Sequence, residues 1–303
     1  MVTGHVRPNL SNNMLPKLKK TIESLYTKLW PLAGPFYKML TKPDPGACRI
    51  LMLHDVPESQ AANFHRLLQY LLEEHGVLTP REAEERLTGE SAPPDDGRVP
   101  YLLTFDDGIK SNATVAAEIL ASCGVKAIFF VCPDFLDLPP ESHEEVIIGN
   151  IYEGRIDESF PEERRFMSWD DCQSLVQSGH TIGVHSWSHR RLTGLDEADR
   201  FREIVAPGQI LEGRLGVPVK WFAYPFGDID SIDTTSLQLI SSRYSFCCSG
   251  LRGINLPKTS ALKLLREQLS VDMPFEYQQL ILSGGLDFFY RKPVKRLDRL
   301  INV

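Results

Sequence analysis

The sequence predicts an α/β fold in which a largely parallel sheet is covered by helices. Six short apolar segments have the composition of buried strands, and segments of helical periodicity separate most of them. The strand segments lie at residues 50–54, 101–105, 126–131, 181–185, 219–224 and 245–248. Polar residues gather at their carboxyl ends, where both open and closed parallel sheets carry their active sites. The pattern leaves an open and a closed sheet as alternatives.

Helices are predicted between these strands, at residues 63–75, 112–123, 169–177, 196–215 and 236–242. Gly76 and Gly124 follow the first two, and glycine is a common helix stop. Ser168 is the predicted N-cap of the third helix. Residues 133–167 are rich in proline, glutamate and arginine, and we expect an irregular insertion near the mouth of a site.

Composition and charge are ordinary for a globular protein and argue against one class of partner. The chain has 303 residues, of which 42% are hydrophobic and 24% are charged. A chain of this length can bury a large core without disulfides or structural metals. The net charge of −7 and the pI of about 5.7 argue against nucleic-acid binding through a general basic surface.

The six cysteines lack the spacing of a disulfide scaffold, and two of them, Cys247 and Cys248, are adjacent. Reduced thiols in a reducing compartment are the simplest interpretation. The N-terminus lacks the apolar segment of a secretory signal, and no segment approaches the roughly 18 uninterrupted apolar residues of a spanning helix. We therefore expect a cytoplasmic protein, with the inner face of a membrane as a further option.

Three parts of the chain are predicted: an N-terminal arm at 1–46, a central domain at 47–275 and a C-terminal helical tail at 276–303. In the arm, apolar residues at helical spacing among lysines predict a basic amphipathic helix. This helix would pack on the outside of the domain. Alternatively, residues 17–40 would make peripheral contact with an anionic membrane. The sequence does not predict the oligomeric state.

The segment Thr104-Phe105-Asp106-Asp107-Gly108 ends a buried strand with two adjacent carboxylates. Neighbouring side chains of a regular strand point to opposite faces. At a strand end followed by glycine, however, both can turn toward one point. Converging carboxylates repel each other unless a cation or a shared proton separates their roles. The segment therefore indicates either a solvated turn or part of a metal site.

The segment His185-Ser186-Trp187-Ser188-His189 places two imidazoles four residues apart at the end of another strand. This spacing is used repeatedly to bind zinc, although it also arises by chance. With a strand-end carboxylate it completes a two-histidine, one-carboxylate set that leaves open positions for water. Such a set is typical of a catalytic metal site.

These two motifs, followed by Tyr224-Pro225-Phe226-Gly227, resemble the polysaccharide deacetylase (NodB-homology) family. The resemblance covers about residues 48–270. It implies a distorted (β/α) barrel of about seven parallel strands that removes N-acetyl groups from amino sugars with a divalent metal. Zn²⁺ is the expected metal, with Co²⁺ or Ni²⁺ as alternatives.

The resemblance also implies roles for individual residues. Asp107, His185 and His189 would hold the metal. Asp106 would be the general base that takes a proton from the attacking water. The backbone N–H of Phe226 would stabilise the oxyanion.

Three further residues complete the candidate substrate site. Tyr224 and Pro225 belong to the same corner as the oxyanion donor. Trp187 would stack on a sugar ring or, alternatively, cover the core.

Two departures from the family pattern concern the base and the acid. Ala223 stands where the family usually has the arginine that orients the base, and no histidine follows His189 to serve as the usual late acid. His54 alone among the earlier histidines ends a predicted strand, and a branch of the family has the same His-Asp-Val sequence there. We therefore predict His54 as the general acid, the alternative being a buried structural histidine. Arg266 lies near a family position close to the site, where we expect a surface salt bridge.

Three functions are compatible with these motifs. The first is a metal-dependent hydrolase that removes an N-acetyl group from an amino sugar in a glycan or glycan precursor. The second is a deformylase or other amide hydrolase acting on a nucleotide- or lipid-linked sugar. The third is a non-catalytic carbohydrate-binding relative, against which the joint presence of Asp106, Asp107, His185 and His189 argues.

Overall fold

The computed structural model describes residues 46–90, 97–153, 164–257 and 259–301. The predicted N-terminal arm, with its residues 17–40, lies outside these ranges except for Gly46. Every strand and helix predicted between residues 50 and 248 has a counterpart, with ends that shift by a few residues.

Eight parallel strands of the described residues build one sheet. They are β1 (Arg49–Leu53), β2 (Val77–Leu78), β3 (Tyr101–Phe105), β4 (Ile128–Val131), β5 (Thr181–Val184), β6 (Trp221–Ala223), β7 (Phe246–Cys248) and β8 (Glu267–Gln268). Seven follow the hydrogen-bonded order β7-β6-β5-β4-β3-β1-β8, and β2 pairs with β3 outside that order. Each neighbouring pair is parallel, as the buried, near-continuous apolar strand sequences predict.

Alternate side chains of these strands enter two separate apolar clusters, and this distribution reveals the curvature of the sheet. Ile50, Leu102, Phe130, Trp221 and Phe246 belong to one small cluster, although β1 and β7 are far apart in the strand order. Only a sheet curled on itself brings these side chains together. The opposite face packs against helices in a larger cluster. The predicted distorted barrel is thus confirmed as a curled half-barrel.

Eleven α-helices accompany the sheet within the described ranges. They are α1 (Ala61–Glu74), α2 (Pro80–Thr88), α3 (Ala117–Ser122), α4 (Pro133–Leu136), α5 (His143–Val146), α6 (Trp169–Gln177), α7 (Glu197–Arg200), α8 (Ala206–Leu215), α9 (Thr234–Arg243), α10 (Phe275–Leu282) and α11 (Arg291–Ile301). π-Helical turns at Asn112–Ala116, Ile147–Ile151 and Phe201–Val205 join some of them. The predicted N-cap of α6 is confirmed, because the Ser168 side chain accepts a hydrogen bond from the Asp171 N–H.

The insertion at 133–167 is more ordered than its composition predicts. It contains α4, α5 and a π-helical turn, and Phe135, Ile147 and Phe166 form a small apolar cluster of their own. The expectation of irregular structure was therefore wrong for most of the part that the structure describes. Helices of four residues carry too few apolar positions for a periodic signal to emerge from a polar sequence.

Helix α2, which was not predicted, closes the end of the half-barrel opposite the strands' carboxyl ends. Its N-cap is Thr79, which forms a capping box with Glu82. Ala83 and Leu87 enter the inner apolar cluster. The Glu84 carboxylate accepts a hydrogen bond from the indole N–H of Trp221 at 2.8 Å.

The C-terminal segment is joined to the sheet by a buried network of charges. Arg49 of β1 contacts Glu267 of β8, and Arg252 binds the same carboxylate at 3.0 Å. Asp287 pairs with Arg49 at 2.7 Å, just before α11. Leu297 of α11 belongs to the large core cluster. No helix in the described ranges is both long enough and apolar enough to cross a bilayer.

Candidate active site

A cavity of about 570 Å³ opens at the carboxyl ends of the strands. Residues that directly follow β1, β3, β5 and β6 line it, namely His54, Asp106, Asp107, His185 and Tyr224. The carboxyl ends of parallel strands meet at one edge of a sheet, so side chains far apart in the sequence converge there. The predicted base, acid and metal ligands all line this single cavity.

The turn after β3 directs two adjacent carboxylates into the cavity. Asp107 has a φ of 71° and Gly108 a φ of 67°, so the chain leaves the strand through the left-handed region. This breaks the alternation that would otherwise place Asp106 and Asp107 on opposite faces. A non-glycine residue at positive φ is strained, and Ser186, His189 and Phe226 share the feature. Backbone strain is thus concentrated at the cavity.

The two histidines turn the same nitrogen toward Asp107. The Nδ1 atom of His185 lies 2.7 Å from the Ala223 carbonyl oxygen, and Nδ1 of His189 lies 2.9 Å from that of Asn150. A carbonyl oxygen only accepts, so each Nδ1 carries a proton and donates it. Each Nε2 lies 3.3 Å from Oδ1 of Asp107. In neutral imidazoles these Nε2 atoms present lone pairs.

Three electron-rich ligand atoms therefore converge on one point. The ligand atoms of Asp107, His185 and His189 lie within 4.8 Å of one another, and all three residues are buried. Such a cluster is unfavourable unless positive charge lies between the atoms. Hydrogen bonds from Nδ1 to backbone carbonyls are also the usual support of metal-binding histidines. The donor set fits a divalent metal.

The pKa values of these residues also indicate that positive charge is favoured between them. Burial raises the pKa of Asp107, but its contacts with His185 and His189 outweigh burial and hold that pKa well below the ordinary value. Burial lowers the pKa of His185, yet the charges of Asp106 and Asp107 raise it above the ordinary value. The negative potential between these groups favours a cation.

Arg266 orients the predicted base, and our expectation of a surface salt bridge for it was wrong. Its side chain is only 1% exposed. The guanidinium donates from Nη1 to Oδ1 of Asp106 and from Nη2 to Oδ2, both at 2.7 Å. A third donation, from Nε to the Ser249 carbonyl oxygen at 2.7 Å, fixes the guanidinium itself. Arg266 thus makes the contact with Asp106 that the resemblance assigned to an arginine at position 223.

This ion pair also sets the ionisation of Asp106. Burial raises the pKa of the Asp106 carboxyl, but the charge of Arg266 and, next, that of His185 oppose it, and the pKa lies below the ordinary value. Two parallel N–H···O bonds to one carboxylate are strong and directional. Asp106 is therefore held ionised and in one orientation.

Glu203 holds the loop that carries both histidines. It lies in the π-helical turn Phe201–Val205 and is buried. Its carboxylate accepts the backbone N–H groups of Trp187 at 3.2 Å and Ser188 at 3.1 Å, and also the Ser188 hydroxyl at 2.8 Å. Ser186 completes the loop by accepting the N–H of His189 at 2.9 Å. π-Helical turns often occur at functional sites, and this one aims a carboxylate at the ligand loop.

His54 lies half-buried on the cavity wall, directly after β1. Asn112 anchors its backbone by donating to its carbonyl oxygen at 2.7 Å. The neighbouring Asp55 accepts hydrogen bonds from Ser111 at 2.6 Å and from Arg164 at 2.5 Å. His54 is close enough to both Asp106 and Asp107 for its charge to lower their pKa values.

The third motif forms a tight corner beside the histidines. Phe226 and Gly227 both have positive φ, and a Cβ on Gly227 would lie 2.5 Å from the backbone N of Gly250. Glycine is therefore required at 227 for the two chains to approach. The centre of the Phe226 ring lies 4.7 Å from that of the His189 ring, and the Arg191 guanidinium carbon lies 4.0 Å from the centre of the Phe226 ring. Both neighbours restrict the turn that carries the Phe226 N–H.

The insertion contributes to the wall as predicted from its position. Ile151, Tyr152, Glu153 and Arg164 line the cavity, and the Asn150 carbonyl supports His189. Of the four predicted substrate-site residues, Tyr224 and Phe226 line the cavity, whereas Pro225 and Trp187 do not. Pro225 is buried behind the corner, and the Trp187 backbone is bound to Glu203.

Sequence patterns did not reveal Glu203 or Asn150 as parts of the site, and the resemblance placed Arg266 near the site without its role. Arg266 precedes a two-residue strand, too short for a periodic signal. Glu203 lies in a helical segment in which an acidic residue normally faces solvent. The sequence did offer an indirect indication of the role of Arg266. A buried Asp106 without an arginine at position 223 requires another cationic side chain to contact it.

Comparison with known proteins points to the family that the motifs resemble. The family model "Polysaccharide deacetylase" matches residues 95–242. Chitin deacetylase 1 of Cryptococcus neoformans var. grubii is 38% identical over 128 residues, which are 42% of this chain and 21% of that protein. Chitin deacetylase 2 of the same organism is 26% identical over 133 residues, which are 43% and 22%. The chain thus matches about a fifth of the length of these curated relatives.

Solved structures share the fold. The Streptococcus pyogenes deacetylase PplD superposes with a TM-score of 0.59 at 20% identity, covering 80% of this chain and 99% of that one. IcaB from Ammonifex degensii superposes with a TM-score of 0.57 at 24% identity, covering 78% and 97%. The family match includes the Asp106-Asp107 and His185–His189 motifs. The match over residues 95–242 and the chitin deacetylase relatives together support a polysaccharide deacetylase family for this chain.

Proposed function

We propose that the protein is a metal-dependent hydrolase that removes the N-acetyl group from an amino sugar in a glycan or glycan precursor. The observation that carries this proposal is the convergence of Asp107, His185 and His189 beside the Arg266-held Asp106. The names of the chitin deacetylases that it resembles support an N-acetylated sugar as substrate. The cavity volume of about 570 Å³ is in the range of small-ligand sites.

The metal would be held by Oδ1 of Asp107 and by the Nε2 atoms of the two histidines. A divalent ion there supplies Lewis-acid polarisation of a water and of the amide carbonyl. Nitrogen and carboxylate donors in this number suit Zn²⁺, with Co²⁺ or Ni²⁺ as alternatives. Three protein ligands leave open positions, as a catalytic site requires.

Asp106 would act as the general base. Its carboxylate oxygen Oδ2 lies 3.9 Å from Nε2 of His185, so a proton acceptor stands beside the ligand cluster. Arg266 keeps the carboxylate ionised and directed, which prepares it to take a proton from the attacking water. The paired hydrogen bonds also prevent the carboxylate from turning to become a fourth ligand.

His54 would act as the general acid that protonates the leaving amine. An amine is expelled well only after its nitrogen is protonated, and an imidazole titrates near neutral pH. His54 lines the same cavity as Asp106 from the neighbouring strand β1, which pairs with β3. The Phe226 N–H would stabilise the oxyanion, since the left-handed turn at Phe226 and Gly227 fixes this donor in place.

We also propose that the substrate is met inside the cell, as a precursor of a surface glycan. Each of the six cysteines carries a free thiol and five of them are buried, which suits a reducing compartment. Cell fractionation of the tagged full-length chain would test this. Recovery from culture medium or from the outer surface would contradict it.

The decisive experiment combines metal analysis with acyl release. The purified protein is stripped with a chelator, reloaded with Zn²⁺, Co²⁺ or Ni²⁺, and assayed for acetate and formate release from acylated sugars. We expect one metal per chain and acetate release that the chelator abolishes. Asp107→Ala is the matched variant that should lose both. Formate release without acetate release would replace the acetyl substrate by a formyl one. Absence of bound metal and of acyl release would refute the proposal.

A further inference from the structure

The last helix of the described chain has one face in the core and one strongly basic face. Val294, Leu297 and Leu300 of α11 pack into the main apolar cluster. The opposite side of the helix carries five exposed basic side chains, hereafter the C-terminal basic face. They are Arg291, Lys292, Lys295, Arg296 and Arg299. At 100° per residue, these positions cover the half of the helix turned away from Leu297.

Acidic residues do little to cancel this charge. The single acid of the helix, Asp298, is paired with Lys263 rather than with the basic face. Arg296 contacts Asp230 at 3.0 Å, but both side chains are largely exposed and such pairs contribute little. The face is therefore a local concentration of positive charge on a chain whose net charge is −7.

Two exposed aromatic side chains lie directly before the basic helix. Of the residues that the structure describes, four large hydrophobic side chains are exposed: Leu72, Phe201, Phe288 and Phe289. Phe288 and Phe289 are adjacent, with exposures of 67% and 51%. The Arg291 guanidinium lies 5.0 Å from the Phe288 ring centre. Apolar and basic groups are thus combined on one continuous surface.

We propose that the C-terminal basic face and the Phe288–Phe289 pair form a docking surface for an anionic lipid bilayer. Basic side chains are attracted to anionic headgroups, and exposed aromatic rings enter the boundary between headgroups and acyl chains. A nucleic-acid duplex would use the charge but would leave the two phenylalanine rings in water. A bilayer takes up both the basic and the apolar component.

The surface also reaches the rim of the catalytic cavity. Arg296 of α11 contacts Asp230, and Asp228, two residues earlier, lines the cavity. Docking would therefore bring the cavity mouth beside the lipid surface. This inference does not depend on the proposed deacetylase activity, because binding to vesicles can be measured without turnover.

The test is sedimentation of the full chain with vesicles of phosphatidylcholine alone or with 30% phosphatidylglycerol. Each basic side chain near an anionic surface changes binding about five-fold, so Lys292→Gln/Lys295→Gln/Arg299→Gln should weaken it about 100-fold. Phe288→Ser/Phe289→Ser should weaken it about ten-fold at low salt and remain weaker at 1 M salt, where charge is screened. Wild-type binding should require the anionic lipid.

Matched controls place the same changes elsewhere. Arg81→Gln/Arg202→Gln/Arg214→Gln removes as much charge from other exposed positions, and Phe201→Ser removes another exposed ring. Both should bind vesicles as the wild type does. Melting temperature and metal content show that each variant is folded.

Several outcomes would overturn the proposal. It fails if the wild-type protein does not bind anionic vesicles, or if the surface variants bind them as well as the wild type does. Equal loss in the control variants has the same consequence. If heparin competes fully and the phenylalanine variant binds normally, the surface is a polyanion site instead. If the phenylalanine variant converts a dimer to a monomer in sedimentation velocity, the occupant is a second copy of the chain.

Discussion

Replacing Arg266 tests how this site supports its base. Arg266→Met removes a buried guanidinium that donates two hydrogen bonds of 2.7 Å to Asp106. Removing one partner of a buried ion pair destabilises a protein by about 3–5 kcal/mol. A general base contributes about 10²–10⁴-fold to rate, and we expect a loss within that range because Asp106 is no longer oriented. Metal content should stay near that of the wild type, since Asp107, His185 and His189 are unchanged.

The same substitution should shift the pH dependence of activity in a defined direction. Burial alone raises the pKa of Asp106, and the charge of Arg266 is the largest effect that lowers it. A base must be ionised to accept a proton, so activity falls as the pH drops through its pKa. Without Arg266 the pKa rises, and the acidic limb of the kcat/KM profile moves to higher pH. Arg266→Lys keeps a charge but not the paired geometry, so it should lose rate with a smaller shift.

Arg252→Met is the matched control for stability. Arg252 is also a buried arginine bound to a carboxylate, that of Glu267, but it does not line the cavity. Its loss should lower the melting temperature and leave the acidic limb in place. If Arg266→Met is destabilised yet shows the wild-type limb and rate, then Arg266 is only a structural residue and our assignment is refuted.

Four further predictions concern the ligands, the base, the acid and the ligand loop. His189→Ala should lose most bound metal by elemental analysis, because three protein ligands leave little redundancy; full occupancy would contradict the site. Asp106→Asn should keep metal and lose about 10²–10⁴-fold in rate, whereas Asp107→Asn should lose metal as well, and equal metal loss in both would refute their division of roles. His54→Ala should keep metal and lose rate, with a changed alkaline limb; wild-type turnover would show that another group is the acid. Glu203→Gln should raise the metal dissociation constant measured by chelator competition, because one acceptor of the ligand-loop N–H groups becomes a donor, and an unchanged constant would exclude that support.

The sequence was sufficient for features that depend on local patterns. Apolar runs such as 101–105 and 128–131 identified buried parallel strands, because strands covered on both faces are apolar throughout. Adjacent carboxylates at Asp106 and Asp107 repel each other wherever they converge, so their chemistry indicated a metal site as one of two alternatives. The spacing of His185 and His189 indicated the other candidate ligands. These inferences use neighbours in the chain or the common edge of a parallel sheet.

Only the tertiary structure decided how these groups are held. Arg266 and Asp106 are 160 residues apart and meet because β1 pairs with β3 on one side and β8 on the other. Glu203 serves the ligand loop because a π-helical turn directs it inward rather than to solvent. Neither placement is encoded by local periodicity, since both depend on the curl of the sheet and on which buried charges require partners. The sequence thus predicted which groups would perform the chemistry, whereas long-range packing determined which residues hold them.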